Sequence, residues 1–511
     1  MSLRTVDIDL NRVEGDLAFE VDLDGSRIVD ARCVGTLYRG FEQLMIGRAP
    51  KDGLVITPRV CGICGTAHLY CAVLALEEAG GFAVPAHATL IRNLCLMAEN
   101  VQSDIRQTFL FFVPDFLHAR YAAHPMAAEI ARAFAPMSGK VVRSALGTSR
   151  QLLGLVALFG GQWPHSSYMV PGGVTRPASA KDLIECHGMV DTTIEWFEDV
   201  AIGGSMRDWL ALDSVAAFEA WLDSAEGRGS ALGLLTHFCR SVGIDAIGRG
   251  VDAFISAGAY HAPDEMADQA ASPGRFLAGG FFDGNTHRCE PFDQAHITEE
   301  VRHSWYRPYD GGRHPYEGET VPDYSTNDDR YTWAKAPRYG DRVVETGPLA
   351  ELLTGGDMLM RALLARYGGS AWLRQFARMR RAAHALQWMK HHLDALGGFL
   401  GAPHTLAPDE SRLESGRGHG MVQAARGTLG HWIELTDGKI SRYQIVTPTA
   451  WNASPKDSAG RHGHWEQSVI GLDLADPDDP LELGHIVRSH DPCLVCTVHF
   501  AGSARKVRYG I

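Results

Sequence analysis

Two Cys-x-x-Cys pairs stand at opposite ends of this chain: Cys61 and Cys64 in RVCGICGTAH, and Cys493 and Cys496 in DPCLVCTVH. The interval between them, 493 minus 64, is 429 positions. If both pairs serve one site, the fold must bring the two extremities of the chain together. A histidine follows in each motif, His68 and His499. Thiolate donors are soft, so four of them suit nickel, iron, copper(I) or zinc better than magnesium or calcium. A structural zinc site is the simplest alternative, but such sites ordinarily draw both pairs from one small module with short spacers.

At 511 residues the chain is long enough for a large core, and length alone would suggest two to four domains. With 45% hydrophobic and 21% charged residues it reads as an ordinary globular protein. A formal net charge of −13 argues against nucleic acid as a partner. No apolar run approaches the roughly 18 residues of a membrane span. The opening MSLRTVDIDLNRVEGD lacks a signal peptide's apolar core, so no export signal is expected on this chain. Ten cysteines do not make a disulfide scaffold at this size. Cys33, Cys71, Cys95, Cys186, Cys239 and Cys289 are scattered singly and read as reduced, mostly buried thiols. The 23 histidines are irregularly spaced and read mainly as surface or packing residues.

Residues 5–35 alternate apolar and polar, which predicts antiparallel strands turning at Asp24-Gly25. Helical periodicity runs from about 87 to 118, and again over 125–158, 180–199, 350–367 and 370–395. Between 260 and 345 the chain is polar and rich in Gly, Pro, Tyr, His and Asp, a loop-rich stretch that predicts a functional or partner-wrapping segment. Strands return at 430–447, hinged at Asp437-Gly438. The expectation is a mainly α (α+β) protein: one domain over 1–511, a large helical-bundle body and small antiparallel sheets near both termini.

The paired motifs resemble those of one family, the large catalytic subunit of the [NiFe]-hydrogenases. Arg59, Cys61, Gly62, Cys64 and His68 match its first motif, and Asp491, Pro492, Cys493, Cys496 and His499 its second. The run FLFFVPDF (109–116) is similar to the cytosolic uptake and sensor branch, a group 2-like assignment, and PGGV (171–174) and TWAKAPRYG…ETGPLA (332–350) support the resemblance. It implies a Ni–Fe centre in which Cys61 and Cys493 are terminal nickel ligands while Cys64 and Cys496 bridge to iron. The iron would carry two cyanides and one carbon monoxide. Arg426 in AARGTLGHW and Thr449 in YQIVTPTAWN would hold the cyanides, with Arg426 overhanging the open face. His68 would tune a bridging sulfur. Glu14 in NRVEGD would carry the proton away, although Asp16 stands where the family usually has His. Glu42, 28 positions after Glu14 (42 minus 14), would bind magnesium with the backbone carbonyl of Ile445 and the side chain of His499.

One departure bears on the arginine. The helix after the first motif reads Ser103-Asp104, then Gln107-Thr108-Phe109, where the family often has Asp-His and then His-Phe-Tyr. By the resemblance, the acid that steadies the arginine is replaced by Ser103 or shifted one position to Asp104; either the arginine network is rebuilt or Asp491 carries more of it. The resemblance further implies oxidation of H2 to protons and electrons, a small subunit with iron–sulfur clusters to take the electrons, maturation factors, and a higher oligomer of heterodimers. The twelve residues after His499, FAGSARKVRYGI (500–511), suit an extension removed on maturation. The expected location is cytoplasmic, with membrane association through partners. The alternative function is a hydrogen sensor that signals to a kinase. The related quinone-reducing complex subunit, which lacks the cysteines, is disfavoured.

Overall fold

The computed structural model describes residues 4–9, 12, 17–326, 329–406 and 409–493. Strands Arg4–Asp9, Leu17–Asp24 and Arg27–Gly35 form an antiparallel sheet in chain order. Gly25, at φ +66°, makes the tight turn between the last two. Alternation buries Val6, Ile8, Phe19, Val21, Ile28 and Ala31 on one face. That face packs on the far end of the chain: Trp465 and Val469 of helix His464–Val469, and Leu483, Ile486 and Val487 of helix Leu481–Ser489. Backbone bonds tie the same partners together, with Ile28 N–H donating to Leu472 O (2.9 Å) and Leu474 N–H to Ser26 O (2.9 Å). Cys33 N–H donates to Glu466 Oε1 at 3.1 Å. The two extremities therefore share one core.

The helical body is built around Ala371–Gly397, which Ser370 caps by accepting from Leu373 N–H at 3.2 Å. Trp372, Phe376, Met379, Ala383 and Leu386 are fully buried at helical spacing, and Arg374, Arg378 and Arg381 on other faces are buried too. The first half of the helix, 371–383, is buried all round and so runs through a core instead of along a surface. It packs against helices Ala86–Arg106 and Ala180–Trp196. The scattered cysteines are free, and all but Cys289 are buried.

The periodic stretches are more broken than their patterns suggest. The helix predicted to reach 118 stops at Arg106, giving way to a π-helical turn at Gln107–Phe112 and a 3-10 turn at Val113–Leu117. Pro114 has no N–H to give Leu110 O and its ring would collide with that carbonyl, so the α register must be left before it. The 125–158 stretch is three helices, Ala127–Phe134, Lys140–Leu152 and Gly154–Gly160. The 350–367 stretch is split into Pro348–Thr354 and Met358–Tyr367, where Gly356 turns left-handed at φ +87°. Within the polar 260–345 region lie strands Arg275–Leu277, Gly280–Asp283, Arg288–Pro291, Ile297–Glu300 and Ala336–Tyr339, too short for alternation to show.

Near the carboxyl end, Gly416–Ala424, Gly427–Thr436 and Lys439–Val446 form a second antiparallel sheet. Asp437 and Gly438, at φ +51° and +69°, make its predicted turn. Its first strand lies directly on helix Gly65–Gly80, which begins just after Cys64. Alternate glycines permit that approach: a Cβ on Gly418 would meet Ala75 O at 2.2 Å, and one on Gly420 would meet Cys71 O at 2.1 Å. The amino end of this helix has no cap from Cys64. Glu99 supplies it from the neighbouring helix, accepting Thr66 N–H at 2.9 Å and Ala67 N–H at 3.0 Å. Burial pushes the Glu99 carboxyl from 4.5 up to about 7, against the pull of those two N–H donors.

The seating of the first thiol loop can be tested at both contacts. Gly420→Val must drive the strand away from the helix, and overpacking of this kind costs about 1–3 kcal/mol. The denaturation midpoint of the purified subunit is expected to fall accordingly; an unchanged midpoint would mean the two backbones need not touch. For Glu99, the folded carboxyl binds its proton more tightly than the unfolded one. Its contribution to stability is present below about pH 4.5 and is lost as pH rises through about 7. In Glu99→Gln, which cannot titrate, that loss should disappear from a series of denaturant titrations run across this pH range.

Candidate metal centre

Three of the four motif cysteines meet. The Sγ atoms of Cys61, Cys64 and Cys493 all lie within 4.8 Å of one another, and Cys61 and Cys493, 432 positions apart, are 3.4 Å from each other. All three are buried. Cys496, His499 and Glu14 fall outside the described residues. The first thiol loop leaves a 3-10 turn at Thr57–Arg59 and doubles back at Gly65, where a Cβ would stand 2.9 Å from Pro58 O. Thr57 Oγ1 donates to Gly53 O at 2.8 Å, and His165 Nδ1 contacts Pro58 O at 2.9 Å, which pins the turn. Cys493 is fixed through its backbone, its N–H donating to the buried Thr449 Oγ1 at 3.2 Å.

Buried thiolates require compensating positive charge. Arg426, buried beside them, donates from Nε to Asp491 O at 2.9 Å and from Nη2 to Asp491 Oδ1 at 3.0 Å. Burial works against its charge, but Asp491 and the three thiols outweigh that and hold its pKa well above the usual value. Its Nη1 makes no hydrogen bond among the described residues. A soft thiol cluster with an unspent donor beside it fits a soft transition metal carrying hydrogen-bond-accepting ligands. His68 Nδ1 lies 3.0 Å from His431 Nε2, and His431 Nδ1 lies 2.8 Å from Tyr443 OH. Burial lowers His68 to about 4 although Cys61 opposes this, so at neutral pH the ring is uncharged.

Of the two acids that could steady Arg426, Asp104 is engaged elsewhere. It is bound by Arg381, with Nε to Oδ2 at 2.9 Å and Nη2 to Oδ1 at 2.6 Å. Asp491 is the acid that holds Arg426.

Glu42 and Ile445 line a cavity of about 50 Å³ together with Glu299, Tyr306 and Lys335. Glu42 Oε1 accepts Ile445 N–H at 2.8 Å and Oε2 accepts from Thr320 Oγ1. Lys335 Nζ stands 2.6 Å from Gln444 Oε1, 3.4 Å from Glu299 Oε2 and 3.8 Å from Glu42 Oε2. Burial raises Glu299 to about 7 despite Lys335. Two carboxylates face one ammonium here, and the oxygen-rich lining fits one small hard cation with water. Sequence reasoning missed Glu299, Thr320, Lys335 and Gln444. The first three come from the aperiodic polar segment, and the available signal was a lysine set among apolar neighbours in TWAKAP.

A second cluster, Glu345, His464 and His490, also brings its ligand atoms within 4.8 Å. Arg374 already fills the cation position, forking Glu345 at 2.7 and 3.0 Å and approaching His464 Nε2 at 3.3 Å. This group is a buried strut, not a metal site.

Comparison with known proteins agrees with this geometry. The family model described as nickel-dependent hydrogenase matches residues 39–136 and 142–499. The periplasmic [NiFeSe] hydrogenase large subunit of Desulfomicrobium baculatum is 31% identical over 96% of this chain and 93% of its own length. The uptake hydrogenase large subunit of Bradyrhizobium diazoefficiens is 27% identical over 96% and 94% respectively. The Ni-Fe-Se hydrogenase of D. vulgaris Hildenborough superposes with a TM-score of 0.81 at 28% identity, covering 98% of this chain and 100% of that one. This chain belongs to the nickel-dependent hydrogenase family and is the large, catalytic subunit of a hydrogen-oxidising enzyme.

Proposed function

We propose that this subunit works in hydrogen uptake, oxidising H2 and delivering the electrons to iron–sulfur clusters of a small subunit. The observation that carries the reading is the convergence of three buried thiols beside Arg426, whose Nη1 is unspent among the described residues. In this reading Cys61 and Cys493 would hold nickel, and Cys64 and Cys496 would hold it together with an iron that carries two cyanides and one carbon monoxide. When bound, such a centre supplies the redox chemistry that separates H2 into protons and electrons. The chain's own residues then orient, protect and drain it.

Arg426 and Thr449 serve the cyanides. Thr449 accepts from Cys493 N–H, which leaves its own hydroxyl proton to give. His68, held uncharged by burial, would donate toward one of the metal-binding sulfurs and tune its basicity. Glu14 accepts the released proton and passes it outward. Glu42, the Ile445 carbonyl and His499 would hold magnesium, with Lys335 and Glu299, which line the same cavity, balancing its charge.

The other cysteines lie singly, so iron–sulfur clusters belong to the partner. Maturation factors would install the centre and then remove 500–511; the matched family stretch ends at 499, which supports that boundary. Heterodimers would assemble further. No helix among the described residues is long and apolar enough to cross a membrane, and a cytoplasmic location is part of the same proposal.

Metal analysis with infrared spectroscopy of the purified heterodimer tests the centre: about one nickel per chain with cyanide and carbon monoxide bands is expected. Cys493→Ser should lose the nickel, and a variant that keeps it would remove Cys493 from the ligand set. Glu14→Gln should keep metal and bands while hydrogen–deuterium exchange collapses. Full exchange in that variant would remove Glu14 from the mechanism.

A further inference from the structure

Asp491 presents Arg426 to the thiols with one carboxylate oxygen and its carbonyl. Its backbone is left-handed, at φ +57° in a residue with a side chain, so the local chain does not by itself favour this pose. The other oxygen, Oδ2, makes no hydrogen bond among the described residues. What faces it is Arg378 of the long helix, with Nη1 at 3.7 Å. Arg378 is itself buried, and its Nε and Nη1 make no hydrogen bonds among the described residues. The same Nη1 stands 3.6 Å from Asp104 Oδ1, and Nη2 donates to Ser489 O at 3.3 Å.

These contacts make a buried line of alternating charge: Arg381, Asp104, Arg378, Asp491, Arg426, and then the thiols. Within it Arg378 is the joint. Without its charge, Asp104 and Asp491 would face each other across a low-dielectric space, each repelling the other. The Asp491 carboxylate would then be free to turn, and Arg426 would turn with it. Gln375 Nε2 also donates to Ser489 O, at 3.3 Å, so the peptide leading to Asp491 stays anchored when Arg378 is changed.

We propose that Arg378 is a positioning residue for the hydrogen reaction: from behind Asp491 it fixes the direction in which Arg426 is aimed at the metal-binding thiols. This rests on the proposed Ni–Fe centre. Arg378 and Arg426, whose like charges repel, then depend on each other.

A double-mutant cycle on the intact heterodimer tests this, with Arg378→Gln, Arg426→Gln and the pair together. It reads nickel content, infrared bands, and the kcat and KM for hydrogen with an artificial acceptor. Arg378→Gln is expected to keep its nickel, shift the infrared bands, and lose roughly 10- to 100-fold in kcat with little change in KM. Added to Arg426→Gln, it should cost less than about a further twofold, because its target is already gone. Multiplying losses in the double variant, or wild-type bands and rate in Arg378→Gln, overturn the proposal. Should Arg378→Gln lose its nickel, Arg378→Lys, which keeps the charge, is expected to regain the nickel and the wild-type bands; nickel loss there too makes Arg378 a folding residue and overturns the proposal. A wild-type heterodimer without nickel would instead overturn the functional reading beneath it.

Discussion

The structure depends on a hydrophobic contact between parts of the chain that could hardly be farther apart in sequence. Phe19, Val21 and Ile28 bury themselves against Trp465, Ile486 and Val487, and backbone bonds between the Arg27–Gly35 strand and residues 471–474 complete the junction. Burial of aromatic and branched side chains contributes about 1.5–3 kcal/mol for each large residue, and backbone bonds fix the register. Cys493 follows four positions after Ser489, where that core's last helix ends (493 minus 489). Its meeting with Cys61 is thus a consequence of core packing. A metal would reinforce the junction, but the chain already prescribes it.

Around the thiols the structure keeps charge buried and interleaved. Arg426, Asp491, Arg378, Asp104 and Arg381 succeed one another, while Arg374 and Glu345 form a parallel strut against His464 and His490. Buried ion pairs add little net stability over apolar packing, but breaking one leaves an uncompensated charge at large cost. What they secure is direction. The long helix that carries Arg374, Arg378 and Arg381 is capped, and its first half is buried on all sides, so the donors it offers stay where the second thiol segment needs them.

Much of this was legible in the chain itself. The four motif cysteines, Arg426, Thr449 and Glu42 stand in short motifs, and of these the structure brings Cys61, Cys64 and Cys493 together with Arg426 and Thr449 beside them. The two hairpin turns were legible because Asp-Gly has a specific backbone meaning. Elements carried by tertiary context were not legible. Nothing local to Glu99 says that it caps another helix, since its periodicity is that of an ordinary helical position. Lys335 and Glu299 lie in short strands and turns where neither period of 3.6 nor of 2 has room to appear. The helix break near Pro114 was signalled by the proline, but the π-helical turn before it was not.

Asp104 and Asp491 divide the buried arginines between them. The carboxylate at 104 on this helix meets Arg381 and Arg378, while Arg426 is left to Asp491. One step along, Asp491 grips Arg426 with carbonyl and carboxylate together, and Arg378 stands between the two acids. Because the line alternates in sign, displacing one acid need not leave any charge alone, provided an arginine lies within reach of both carboxylates. That condition is geometric, set by the three- and four-residue spacing of Arg374, Arg378 and Arg381 on one helix, and it is met here by the packing of that helix against Ala86–Arg106.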